Sequence, residues 1–168
     1  MLTKIYKVLT YILLLPAVLL SFLVLFSLLL AFANPGVLLI SFILSCVIIY
    51  TVVSFNFIQK VIVNQKTVST KLKDWIKVNA YVTMLFALMM IFNIFQVVSK
   101  PMQLRKVISE MIEQQKGNPN FYSNENVLYN VMMIIFVLFT VYSILLLVHI
   151  SCGFKLLKKY NSNFIEAE

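Results

Sequence analysis

Charged residues, glycine, cysteine and histidine are all scarce in this chain. Of its 168 residues, 12% are charged, three are glycine, two are cysteine and one is histidine. So little polar surface cannot cover a soluble globule of this length. Hydrophobic residues make up 61% of the chain, and the mean hydropathy is +0.94. The composition therefore predicts an integral membrane protein.

The residues that could form a metal site are poorly placed for one. Cys46 and Cys152 lie in separate apolar runs, which is not the pattern of a disulfide framework or of a zinc site. His149 and Cys152 share one helix face, but two ligands do not make a metal site. We expect no metal, no cofactor and no disulfide.

No Asp, Glu, Lys or Arg lies inside the apolar runs, and His149 is their only titratable nitrogen. Ion-coupled exchangers need a carboxylate in the membrane, haem-carrying oxidoreductases need paired histidines, and thiol reductases need a Cys-x-x-Cys motif. The sequence contains none of these. Enzymes that act at membranes also show paired acids or histidine sets in their loops. We therefore predict a protein that is not an enzyme and has no catalytic or cofactor-binding residues.

Four apolar runs are long enough to cross a membrane, since about 20 helical residues span roughly 30 Å of hydrocarbon. They cover residues 8–32, 37–59, 78–99 and 127–154. We predict an all-α fold, a four-helix transmembrane bundle that forms a single membrane domain over residues 1–168.

The first run ends in Ala31-Phe32-Ala33, the small-x-small spacing that signal peptidase recognises. A cleavable signal has an apolar stretch of about 7 to 15 residues, whereas this run holds 25 without a charge. We therefore expect it to be retained, with Asn34-Pro35-Gly36 as a tight turn between two helices of a hairpin. Small residues four apart predict the seam of that hairpin: Ala17, Ser21, Ser41 and Ser45.

Basic residues predict the orientation. If both termini are cytoplasmic, that side holds Lys4, Lys7, Lys60, Lys66, Lys71, Lys73, Lys77, Lys155, Lys158 and Lys159. The other side then holds only Lys100, Arg105, Lys106 and Lys116. The positive-inside rule therefore places the N-terminus and the C-terminus in the cytoplasm.

The net charge of +8 is explained by this topology, so we expect the lipid bilayer and no nucleic acid as a partner. The lysine-rich loop over residues 60–77 can also attract anionic lipid. Tyr6 and Trp75 are expected to be interfacial anchors. Most of the basic residues are lysine, and Phe, Ile, Asn and Tyr are abundant. All of these residues are encoded by AT-rich codons. We expect the cytoplasmic (inner) membrane of a low-GC bacterium.

The connection between the third and fourth runs predicts an amphipathic outer helix over about residues 100–117. Its apolar residues recur at spacings of three and four: Leu104, Val107, Ile108, Met111 and Ile112. Arg105, Lys106, Glu110 and Glu113 fall largely on the other face. Such a helix either lies on the outer membrane surface or contacts a partner. The four charged residues are therefore the candidate partner surface.

Polar side chains within the apolar runs lie near the two predicted membrane faces. Asn56, Asn79 and His149, near the cytoplasmic face, form a candidate polar pocket in which His149 binds a headgroup or senses pH. Asn93, Gln96 and Asn130 form a corresponding outer set. The simpler interpretation of both sets is hydrogen bonding between helices.

The order of four spans, a short outer turn and the lysine-rich loop "NQKTVSTKLKDWIKVNAY", followed by a short polar tail, resembles uncharacterised four-helix membrane proteins of bacteria. Some of these are encoded beside a small helix-turn-helix regulator. The resemblance is one of layout and implies no catalytic residues.

The lack of catalytic groups and the distinctive outer segment together predict a non-enzymatic accessory, regulatory or immunity-type protein that binds another membrane protein. The alternative is an uncoupled pore, or a carrier of lipid or small solutes, that works as an oligomer through self-association.

Overall fold

The computed structural model describes residues 1–31, 34–114 and 124–165, and its fold is all-α. Its α-helices are α1 (Leu2–Ala31), α2 (Pro35–Phe57), α3 (Thr70–Ser99), α4 (Pro101–Gln114) and α5 (Glu125–Lys159). A π-helix over Ile58–Val63 continues α2, a short 3-10 helix covers Asn161–Asn163, and two strands are β1 (Val68–Ser69) and β2 (Phe164–Ile165).

Four of the helical segments are long and apolar enough to cross a membrane: Leu2–Leu30, Gly36–Val63, Thr70–Ser99 and Glu125–Lys159. Each begins before the corresponding apolar run of the sequence. The difference is largest for α3, where the polar residues from Thr70 to Lys77 belong to the helix but lower the local hydropathy.

The chain divides into two compact units. Unit 1 consists of residues 1–87 and 145–168, and unit 2 consists of residues 88–144. Unit 1 therefore contains α1, α2, the first part of α3 and the last part of α5. Unit 2 contains the last part of α3, α4 and the first part of α5.

In unit 1, α1 and α2 form the antiparallel hairpin that the turn sequence predicts. The Asn34 side chain caps α2 by accepting a hydrogen bond from the Gly36 N–H at 2.9 Å, and α2 begins at the next residue after Asn34, a proline. The hydroxyls of Ser27 and Ser41 lie 2.7 Å apart, and Tyr11 contacts Phe55 at a ring distance of 5.8 Å. Phe32 and Ala33, the last two residues of the small-x-small spacing that signal peptidase recognises, lie outside the described residues.

The core of unit 1 is built from one face of each helix. Along α1 the buried side chains recur every three or four residues, as one helix face requires: Tyr6, Leu9, Leu13, Ala17, Leu20 and Val24. The opposite face of α1 is apolar and exposed, for example at Leu19 and Phe22. An apolar exposed face is compatible with lipid contact.

The tail, here residues 160–165, packs against the loop that precedes α3. Strands β1 and β2 pair in parallel, with Val68 opposite Phe164. The Phe164 ring stacks on Phe57 at a ring distance of 6.0 Å. The Ser69 hydroxyl accepts a hydrogen bond from the Lys71 N–H at 3.2 Å and so caps α3. The sequence analysis did not predict the strand pair.

In unit 2, the presence of α4 confirms the prediction of a helix near residues 100–117. Its buried face is narrower than the apolar face that the sequence predicts. Leu104 and Ile108 are buried, whereas Val107 and Met111 are about half exposed. The helix ends at Gln114 as described. The remaining residues of the expected helix, 115–117, lie outside the described part of the chain.

We expect Phe164→Ala to loosen the contact between the tail and the loop. Aromatic pairs contribute about 0.5–1.5 kcal/mol beyond their buried area, so amide hydrogen exchange at Val68 and Ser69 in detergent should become about tenfold faster. Ser162→Ala, at an exposed position of the 3-10 helix just before β2, is the matched control. Unchanged exchange in Phe164→Ala would contradict the role of this ring.

Candidate functional site

Buried polar and aromatic side chains of three helices meet at His149 in unit 1. Tyr6 and Thr10 come from α1, and Tyr50 comes from α2. Tyr6 lies four residues before Thr10, and His149 lies four residues before Gly153, so each pair occupies one helix face. Tyr6, Thr10 and His149 are fully buried, and Tyr50 is almost fully buried. We call these five residues the histidine cluster.

Both ring nitrogens of His149 have hydrogen-bond partners. The Tyr50 hydroxyl lies 2.7 Å from Nδ1, and the Thr10 hydroxyl lies 2.7 Å from Nε2. Thr10 also donates to the Tyr6 backbone carbonyl at 2.8 Å. Because a hydroxyl has one proton, Thr10 must accept from Nε2–H. In a neutral ring Nδ1 then accepts from Tyr50, so one hydrogen-bond chain joins α2, α5 and α1.

Ring stacking positions the imidazole from one side. The Tyr6 ring lies parallel to it, with the ring centres 4.2 Å apart and the planes at 9°. Gly153 makes this approach possible, because a Cβ there would lie 3.2 Å from Cε2 of Tyr6. Tyr6, expected to be an interfacial anchor, is instead buried against His149.

The other two residues of the candidate polar pocket have different surroundings. Asn79 is buried and donates a hydrogen bond to the Trp75 carbonyl on its own helix at 2.8 Å. Asn56 is half-buried. Among the described residues, no hydrogen bond joins any two of Asn56, Asn79 and His149. Thr10 and Tyr50, the hydrogen-bond partners of His149, were not singled out as partners by the sequence analysis.

The chemistry available to the histidine cluster is hydrogen bonding. His149 is paired with Thr10 and with Tyr50, whereas the buried Tyr6 hydroxyl has no hydrogen-bond partner among the described residues. The paired part of the network favours one arrangement of its helices, because leaving a member of it unpaired is costly in apolar surroundings. Cys46 and Cys152 are free thiols. Over the described ranges there is no group of three or more His, Cys, Asp or Glu side chains that could hold a metal ion.

The charged residues of α4 belong to unit 2 and do not act alike. Arg105 bonds to the beginning of α5, with Nη1 3.5 Å from the Glu125 carboxylate and 3.2 Å from the Asn126 side-chain oxygen. Its guanidinium also lies 4.5 Å from the centre of the Tyr129 ring. The other three charged residues, Lys106, Glu110 and Glu113, are exposed on α4. Lys106 and Glu110 form an i,i+4 ion pair at 3.9 Å, and Glu113 also takes part in an interaction.

Comparisons of the chain with protein families, with curated proteins and with solved structures found no match. The class of protein follows from the fold. Four helices long and apolar enough to cross a membrane indicate a multi-pass membrane protein.

We expect Tyr50→Phe to destabilise the protein by about 1 kcal/mol, because it removes the donor to a buried ring nitrogen. Thermal unfolding in detergent, followed by reaction of the buried Cys46 thiol with a fluorescent dye, measures the change. Tyr142→Phe is the matched control, since the buried Tyr142 hydroxyl has no hydrogen-bond partner among the described residues. Equal effects of the two substitutions would contradict the proposed hydrogen-bond chain.

Proposed function

We propose that this chain is a non-enzymatic multi-pass membrane protein that binds another membrane protein in an accessory, regulatory or immunity-type role. The observation that supports the proposal is a difference between the two units. Unit 1 buries His149, Asn79 and Thr10 and provides their hydrogen bonds. Unit 2 exposes the side chains of Asn93, Gln96 and Asn130 on apolar helices.

The depth of these amides makes their exposure costly in a membrane. Asn93 lies six residues before the end of α3 at Ser99, about 9 Å by the helical rise. Asn130 lies five residues after the beginning of α5, about 7.5 Å by the same measure. An amide without a partner in hydrocarbon costs several kcal/mol. A transmembrane helix of the partner protein, with an amide or hydroxyl side chain at the same depth, would remove that cost.

The charges of α4 extend the proposed partner surface beyond the hydrocarbon. Lys106 and Glu110 are exposed and carry opposite signs, which suits selective contact with a polar segment of the same partner. Arg105 has a different part in the proposal, because its bonds to Glu125 and Asn126 hold α4 against α5.

The proposed location is a bacterial cytoplasmic membrane, with both termini in the cytoplasm. The lysine count supports this orientation. The sequence of unit 1 has five lysines between the second and third apolar runs and three near the tail: Lys60, Lys66, Lys71, Lys73, Lys77, Lys155, Lys158 and Lys159.

We expect the double substitution Asn93→Leu/Asn130→Leu to weaken partner binding severalfold, because each interhelical hydrogen bond is worth about 0.6 kcal/mol. A photo-crosslinking phenylalanine analogue at the exposed position Phe95 measures binding in membranes. The expected product is a discrete adduct with an integral membrane protein, and its yield should fall severalfold in the double variant. Asn56→Leu makes the same chemical change in unit 1 and should leave the adduct intact.

Two results of this crosslinking experiment would overturn the proposal. An adduct of twice the monomer mass would show self-association and favour the oligomeric pore or carrier. Adducts with lipid alone, unchanged in the double variant, would show that these amides face the bilayer.

We expect cysteine labelling to report the proposed orientation. In a Cys46→Ser/Cys152→Ser background, Glu110→Cys on α4 should react with a membrane-impermeant maleimide in intact cells. Ser162→Cys in the tail should react only after the cells are permeabilised. Both positions are exposed, so local burial does not limit the reaction. The reverse pattern would contradict the orientation.

A further inference from the structure

We propose that a lysine-lined cavity in unit 1 binds the phosphate headgroup of an anionic phospholipid. The cavity has a volume of about 550 Å³ and is lined by Lys73, Lys77, Phe154, Leu157, Lys158 and Asn161. This volume lies within the range of about 300–1,000 Å³ that is typical of ligand sites. We call it the lysine cavity.

Among the described residues, no acidic side chain forms an ion pair with the lysines of the lysine cavity. Both ion pairs found among the described residues belong to unit 2, at Arg105 and Lys106. Asp74, next to Lys73 in the chain, is exposed and takes part in neither pair. Three ammonium groups around one cavity attract an anion, and phosphate oxygens accept their hydrogen bonds.

One of the three lysines is held in place by the tail. Nζ of Lys73 donates a hydrogen bond to the Asn161 side-chain oxygen at 2.6 Å and lies 5.8 Å from the centre of the Phe164 ring. An ammonium group has three N–H donors, so Lys73 keeps two for a ligand. A charge that is fixed before the ligand arrives lowers the entropic cost of binding. The tail is therefore part of the site.

The surface beside the lysine cavity favours a lipid over free phosphate. The Phe154 ring, which lines the cavity, contacts the Tyr81 ring at 5.4 Å. Lys77, Tyr81 and Leu85 follow one another at four-residue spacing on one face of α3. Tyr81 and Leu85 are more than half exposed. An acyl chain can lie along this apolar face while its phosphate bonds to the lysines, whereas free phosphate gains nothing from it.

The experiment measures lipid binding to the full chain in mild detergent by native mass spectrometry, with phosphatidylglycerol, phosphatidylcholine and inorganic phosphate as the probes. We expect retention of phosphatidylglycerol over phosphatidylcholine. Lys77→Gln/Lys158→Gln should weaken phosphatidylglycerol binding at least about tenfold. Lys155→Gln/Lys159→Gln removes the same charge from residues that do not line the cavity and should change binding less than about twofold.

Asn161→Ala provides a test that alters no charge. Asn161 is exposed, so the fold should persist, but Lys73 loses its hydrogen bond and phosphatidylglycerol should bind severalfold more weakly. Three results would overturn the proposal: equal losses in the two double variants, equal retention of both lipids, or displacement of phosphatidylglycerol by inorganic phosphate. The proposal rests on the membrane placement above but not on the partner. Crosslinking from Phe95 is a separate readout, so either proposal can fail alone.

Discussion

A polar side chain inside the hydrocarbon must find its hydrogen-bond partner in protein, because no water is present to provide one. In unit 1, the paired side chains meet this requirement in two ways, whereas the hydroxyls of Tyr6, Ser54 and Thr83 have no hydrogen-bond partner among the described residues. Thr51, Ser41 and Ser45 donate to carbonyls one turn back on their own helix. His149 instead bonds to residues 139 and 99 positions away in the chain. The second way ties three helices together, so the packing of unit 1 depends on it.

The helices were predictable from the sequence because their signals are local. Twenty or more apolar residues in a row, or apolar residues three and four apart, specify a helix whatever surrounds it. The pairing of β1 with β2 has no such signal, since two-residue strands carry no periodicity. Helices α3, α4 and α5 separate the paired segments in the chain, so only the packed structure brings them together.

The histidine cluster was predictable only in part. Sequence analysis singled out His149 as the one titratable nitrogen in a span, but depth alone placed it with Asn56 and Asn79. Its hydrogen-bond partners depend on how each helix is rotated about its axis. Counting residues from the predicted membrane boundary gives the depth of a side chain but not this rotation. Gly153 carried a usable signal: a glycine within a helix, one turn after a histidine, marks a close approach.

The strand pair also imposes an order on biosynthesis. A chain leaves the ribosome N-terminus first. Val68 therefore cannot pair with Phe164 until α3, α4 and α5 have been made. Phe164 is made after these helices and completes the surroundings of Phe57 and Lys73. A stalled or truncated chain would have all four long helices and still lack this contact. The contact between the tail and the loop therefore forms only after the four long helices have been made.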